Sequence, residues 1–144
     1  MNAKGRIAGI DYGTKRIGIA ISDPGQSIAS PHENYTRNGL EADAIRFKRL
    51  VAEDDIIRFV VGLPLHVSGD ESPKSKEARA FGAWLEELTS LPVEFFDERY
   101  TSAESEAMLI DIDMTRKQRK KRLDMLAAQL ILNGYLEQRG KDIV

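Results

Sequence analysis

The chain has 144 residues, with 21 Lys+Arg against 23 Asp+Glu, a formal net charge of -2 and no cysteine. That length suits one domain, which can withdraw about 70% of its unfolded surface from water without a disulfide or a structural zinc. Disulfides, cysteine–zinc sites and thiol nucleophiles are excluded, as is a disordered chain at 42% hydrophobic residues, and no apolar run reaches the roughly 18–20 residues of a membrane span.

Segment 5–11, GRIAGID, is a short apolar run closed by an acid, and it reads as a buried strand. Residues 12–15 form a turn around Gly13, and 16–22, RIGIAIS, returns as the second strand of a hairpin. Residues 23–25 turn the chain again. Segment 28–36 is a third strand whose Pro31 suits a sheet edge. Leu40, Ala44, Phe47, Leu50 and Val51 recur at helical spacing over 40–52.

A fourth strand covers 56–61, IIRFVV, and ends at Gly62 and Pro64. A polar loop spans 63–73, and a helix over 75–88 aligns Ala78, Phe81, Leu85 and Leu88. The fifth strand, 92–96, runs into Asp97-Glu98-Arg99. Thr101 or Ser102 caps a helix predicted to about Asp111, with Glu104 and Glu106 favoured in its first turns. A last helix reaches about Gln138. The order βββαβαβαα predicts an α/β fold with a mixed five-stranded sheet and helices on its faces. We expect one domain over 1–138 and a short frayed tail over 139–144.

The charge is unevenly placed. Residues 116–122 read RKQRKKR, which takes six of the 21 basic residues and leaves 15 against 23 acids elsewhere. Arg116, Lys117, Arg119, Lys120, Lys121 and Arg122 are therefore candidates to hold a phosphate backbone, whatever the overall balance. They point all round a helical wheel, so part of the run is expected as a loop or frayed helix start.

Three acidic positions could meet. Asp11 closes the first strand, where the loops of a mixed sheet open and functional groups gather; a turn-capping role is the competing reading. Asp97 and Glu98 close the last strand, and at most one can face the cleft of Asp11 while both stay extended. Asp124 sits mid-stripe on the last helix, between Leu123, Ala127, Leu130, Ile131 and Gly134 on one side and Met125, Ala128, Leu132 and Tyr135 on the other. A buried carboxylate there needs a partner, either a basic side chain or a cation. Carboxylates without His or Cys suit Mg²⁺ or Mn²⁺. Two such ions about 4 Å apart can cleave a phosphodiester. His32 and His66 are isolated and lack zinc spacing. Gly9, Gly13 and Gly18 match no nucleotide-binding loop, and no nucleophile elbow occurs.

The motifs IDYGTKRIGIAISD at 10–23, VGLPLHVSGD at 61–70, FDERYTS at 96–102 and RKKRLDMLAAQLILNGYL at 119–136, in this order, resemble the YqgF/RuvX family over nearly the whole chain. The resemblance implies a ribonuclease H-like fold and a metal-dependent nuclease; the N-terminal MNAKGRIAGID, too short in apolar residues for a signal peptide, leads us to expect a cytoplasmic protein. The resemblance also implies processing of the 5′ end of pre-16S ribosomal RNA, with Holliday-junction resolution as the alternative. It places the catalytic acids at Asp11, Glu98 and Asp124. It adds Asp97 as a possible fourth metal ligand, with Glu98 preferred over it for its longer arm. It implies nucleic-acid contacts from Lys15, Arg16, His66 and Arg99 beside the basic run. His66 stands where the family commonly has Asn, and Tyr100 where it has Leu. A junction resolvase should be a homodimer, whereas an RNA processor can be a monomer. A non-catalytic RNA-binding factor and an actin-like nucleotide binder rank below both, the second because one lobe cannot close over a nucleotide.

Overall fold

The computed structural model describes residues 5–100 and 116–142, with side chains over 5–99 and 125–140. Strands β1 (Arg6–Asp11), β2 (Arg16–Ser22) and β3 (Ala29–Thr36) form an antiparallel meander. Helix α1 (Leu40–Asp54) returns the chain to β4 (Ile56–Leu63), which lies parallel to β1. Helix α2 (Pro73–Thr89) leads to β5 (Val93–Asp97), parallel to β4. The strand order is β3-β2-β1-β4-β5, so the three parallel strands sit side by side. A short 3-10 turn, Glu98–Tyr100, follows β5, and helix α3 (Arg116–Asp142) ends the described chain.

Period-2 alternation divides the sheet's side chains between two cores. Ala8, Ile10, Ile19, Phe59 and Val61 pack with Phe47 and Leu50 of α1 and Phe81 and Leu85 of α2. Ile7, Ala20, Val60 and Phe96 pack with Ala128, Ile131, Leu132 and Tyr135 of α3. Residues 7, 9 and 11 share a strand face, so Asp11 falls on the α3 side of β1. Leu132 is fully buried, and its truncation to alanine should cost about 2–5 kcal/mol.

Three expectations are corrected. Leu40, placed on the buried face of α1, is 61% exposed, and Asp43 is wholly buried there beside Phe47 and Leu50. Tyr35 Oη donates to Asp43 Oδ1 at 2.8 Å and Arg37 Nε to Oδ2 at 2.9 Å, which supplies the partners a buried carboxylate needs. The basic run, expected in part as a loop, has a helical backbone as the first turns of α3. The same helix continues to Asp142, past the boundary expected at 138, because no proline interrupts it. The helix predicted over 101–111 lies outside the described residues. Among the described residues, no helix is long and apolar enough to cross a membrane.

Candidate active site

Parallel pairing of β1, β4 and β5 brings their C-terminal ends together. Ile10 is in register with Val61, and Leu63 with Asp97. Asp11 closes β1, Gly62 and Leu63 close β4, and Glu98 is the first residue after β5. The cavity at this edge measures about 320 Å³ and is lined by Asp11, Tyr12, Gly62, Pro64, Lys74, Ala78, Glu98 and Ala127. Gly62 makes room for it, since a Cβ there would lie 2.9 Å from Glu98 Oε2 and 2.4 Å from Ile131 Cδ1.

Two of the expected acids therefore face one space. Burial, and then the carboxylates of Asp11 and Asp97, push the Glu98 carboxyl up to about 7, with Lys74 opposing. The half-buried acids supply hard oxygen donors, and the donor set suits Mg²⁺ or Mn²⁺. Among the described residues no three His, Cys, Asp or Glu side chains converge as a cation site. The third expected acid, Asp124, belongs to α3 by its backbone, but its side chain lies outside the described residues. It precedes Ala127, which lines the cavity, by three residues, and buried Ala128 by four.

Asp97, expected as a further ligand, does not line this cavity. Its carboxylate accepts from Arg99 Nε at 2.9 Å and Nη2 at 2.6 Å, and from the Arg99 backbone N–H at 3.0 Å. Those bonds hold its pKa below the usual aspartate value. Strand alternation is the reason: Asp97 and Glu98 leave the sheet in different directions, and only Glu98 turns inward.

A second pocket, of about 260 Å³, opens on the other side of Asp11 and is lined by Gly13, Thr14, Lys15, Arg16, Gly18 and Asn34. Lys15 and Arg16, expected as nucleic-acid contacts, are exposed on it. Arg37 fixes their turn. Its Nη1 donates to Tyr12 Oη at 2.8 Å, and its backbone N–H donates to Lys15 O at 2.9 Å. Buried Asp43 in turn anchors Arg37.

His66 is exposed, in a turn closed by its N–H donating to Asp70 O at 3.0 Å. Arg99, expected on phosphate, is paired with Asp97 and donates to Val67 O at 3.1 Å. Side chains of Arg116, Lys117, Arg119, Lys120, Lys121 and Arg122 lie outside the described residues. His32, given no ligand role, lies 3.5 Å from Asp54.

Lys74 is the functional candidate that sequence reading missed. A lysine after a proline at a helix start looks solvent-directed, and only the fold brings it to the acids. Asp43 and Arg37 were also missed, although the wheel that singled out Asp124 could have found Asp43, one turn before Phe47.

Comparison with known proteins agrees with this architecture. A family model described as "RuvX: Holliday junction resolvase" matches residues 5–138. A protein of Rhodopirellula baltica named "Putative pre-16S rRNA nuclease" is 48% identical over 135 residues, covering 94% of this chain and 78% of that protein. A relative of the same name from Syntrophomonas wolfei is 42% identical over 139 residues, covering 95% and 99%. Among solved structures, the fold is similar to Thermus thermophilus RuvC in complex with a Holliday junction substrate, with a TM-score of 0.63 at 12% identity, covering 95% and 96%. It is also similar to the fowlpox virus resolvase in complex with Holliday junction DNA, with a TM-score of 0.57 at 13% identity, covering 93% and 98%.

Proposed function

The chain belongs to the RuvX family, and from that premise we propose that it is a divalent-cation-dependent endonuclease acting on structured nucleic acid in the cytoplasm, with the 5′ end of pre-16S ribosomal RNA as its substrate. The observation that carries the proposal is the meeting of Asp11 and Glu98 in one cavity, with the Lys15–Arg16 pocket on the far side of Asp11.

Asp11 and Glu98, with Asp124 as the third acid, would hold Mg²⁺ or Mn²⁺ as two ions. Bound there, such ions supply water activation and stabilisation of the leaving oxygen in an in-line displacement. Lys15 and Arg16 bind the sugar–phosphate strand and lead it across Asp11. Pro64 and Ala78 wall the cavity and limit water around the acids. Lys74 adds a positive charge beside the position the scissile phosphate would take. The basic helix start, 116–122, extends the phosphate grip, which positions a strand without reading its sequence.

A second reading is a Holliday-junction resolvase on DNA, favoured by the fold shared with junction-bound resolvases. A resolvase cuts two strands symmetrically and needs a two-fold dimer. The test offers 5′-extended pre-16S RNA and a four-way DNA junction to the protein with Mg²⁺ or Mn²⁺, and measures its mass in solution. Asp11→Asn and Glu98→Gln should each lose about 10³-fold or more in cleavage rate while still binding nucleic acid. RNA cleavage by a monomer supports the first reading, and junction cleavage by a dimer the second. Wild-type cleavage by Asp11→Asn would sink both.

A further inference from the structure

Asp97, Glu98 and Arg99 are consecutive, yet only Glu98 faces the cavity. The carboxylate of Asp97 receives four short contacts. Arg99 N–H and Nε reach Oδ1 at 3.0 and 3.1 Å, while Nε and Nη2 reach Oδ2 at 2.9 and 2.6 Å. Three N–H groups of one residue, Nε shared between both oxygens, thus hold this carboxylate in a charge-assisted, bidentate pair.

The other edge of the guanidinium reaches across to the loop after β4, where Nη1 donates to Val67 O at 3.1 Å. That loop is a tight turn. Gly69 N–H donates to His66 O at 2.8 Å, and Ser68 Oγ donates to Asp70 Oδ2 at 3.0 Å. Gly69 has φ +95°, and a Cβ there would lie 3.3 Å from Arg99 Nη1. Both the backbone conformation and the close approach of Arg99 therefore favour glycine. At the loop's far end, Ser72 Oγ donates to Pro64 O at 2.6 Å. With both ends tied, the turn holds the Val67 side chain out in solvent, 95% exposed.

We propose that Asp97 and Arg99 form a clamp that fixes the 66–70 turn against the strand end carrying Glu98, so that both are positioning residues, neither ligating a cation nor gripping a phosphate. The clamp sets the distance between the 66–70 turn and the strand end that carries Glu98. Its effect on cleavage rests on the nuclease reading above; its effect on the turn does not.

The experiment uses the full chain with Asp97→Asn, Arg99→Ala, Arg99→Lys and the Asp97→Asn/Arg99→Ala pair. Amide hydrogen exchange over 66–70 should speed up equally in each, with no further gain in the double variant. Asp97→Asn should keep wild-type Mn²⁺ affinity by calorimetry, whereas Glu98→Gln loses it. Arg99→Ala should weaken RNA binding without changing the slope of log K against log salt, whereas loss of a phosphate contact would lower that slope by about one. Arg99→Lys should fail to rescue, because a point charge cannot bridge Asp97 and Val67. Unchanged exchange, lost Mn²⁺ affinity in Asp97→Asn, a lower salt slope in Arg99→Ala, or rescue by Arg99→Lys would each overturn the clamp. If wild type cleaves nothing, the nuclease reading fails and the exchange data alone judge the clamp.

Discussion

Two pockets meet at Asp11, and their walls carry opposite charge. On one side, Lys15 and Arg16 project from a turn braced by Arg37 and the buried Asp43. On the other, Asp11 faces Glu98, and among the described residues Lys74 is the one basic group lining the cavity. The first wall suits a polyanion and the second a cation. A single strand end thus puts one carboxylate where both would be held, and the sheet order β2-β1-β4 separates the two functions by one strand on each side.

The largest effect on nucleic-acid binding should come from stripping the basic wall. Lys15→Ala with Arg16→Ala should weaken RNA binding about tenfold or more and lower the salt slope by about two, one per phosphate contact. Mn²⁺ affinity should stay as in wild type. A filter-binding titration across salt concentrations checks both; an unchanged slope would show that this pocket does not carry the backbone.

A smaller effect follows from the acidic wall. The Glu98 carboxyl is raised from an ordinary 4.5 to about 7, first by burial, then by Asp11 and Asp97. In the cation-free protein the folded state therefore holds a proton that the unfolded chain has released between those two values. Stability should fall as pH rises from about 4.5 to about 7, the opposite slope to a salt-bridged carboxylate. Glu98→Gln should remove that step and melt above wild type at pH 8 without cations. Added Mg²⁺ should raise the wild-type midpoint at pH 8 and leave the variant unmoved. Thermal melts over pH decide it, and a wild-type midpoint flat from pH 4.5 to 8 would contradict the paired-acid geometry.

The two walls were not equally legible in the sequence. Strands and helices followed from alternation and helical spacing, and Asp11 and Glu98 could be placed because strand ends are local features. The acid on the apolar stripe of the last helix drew notice by the cost of burying it. Asp97 could not be told from Glu98 as a ligand, because the choice depends on a guanidinium two residues on and a loop thirty residues back. A wheel of α1 would show Asp43 on its buried face, but the partnership of Asp43 with Arg37 was hidden for a similar reason. Their bonds join β3, α1 and the β1–β2 turn, and no local pattern encodes that meeting. Leu40 shows the converse, a residue with the right spacing that stands exposed at the first position of α1.

Lys74 gives the smallest and most discriminating effect. It occupies the first turn of α2, directly after Pro73, with Ser72 as the N-cap in a reciprocal capping box with Ser75. A cation in that turn opposes the helix dipole, a cost of about 0.3–1 kcal/mol at an exposed site. The cavity explains its tolerance, since Lys74 faces Asp11 and Glu98 and lowers the Glu98 pKa against the upward pull of burial. Lys74→Met should therefore move the pH step in stability upward. Above that step the cation-free variant should be less stable than wild type, because two ionised acids then face each other with less compensation. Mn²⁺ should bind the variant more tightly at pH 8, where no ammonium competes for the same carboxylates. In a Glu98→Gln background the substitution should leave the pH profile flat, since the titrating group is gone. A step that stays in place in Lys74→Met, or one that moves in the Glu98→Gln background, would separate Lys74 from Glu98 and return it to the solvated helix start its sequence suggests.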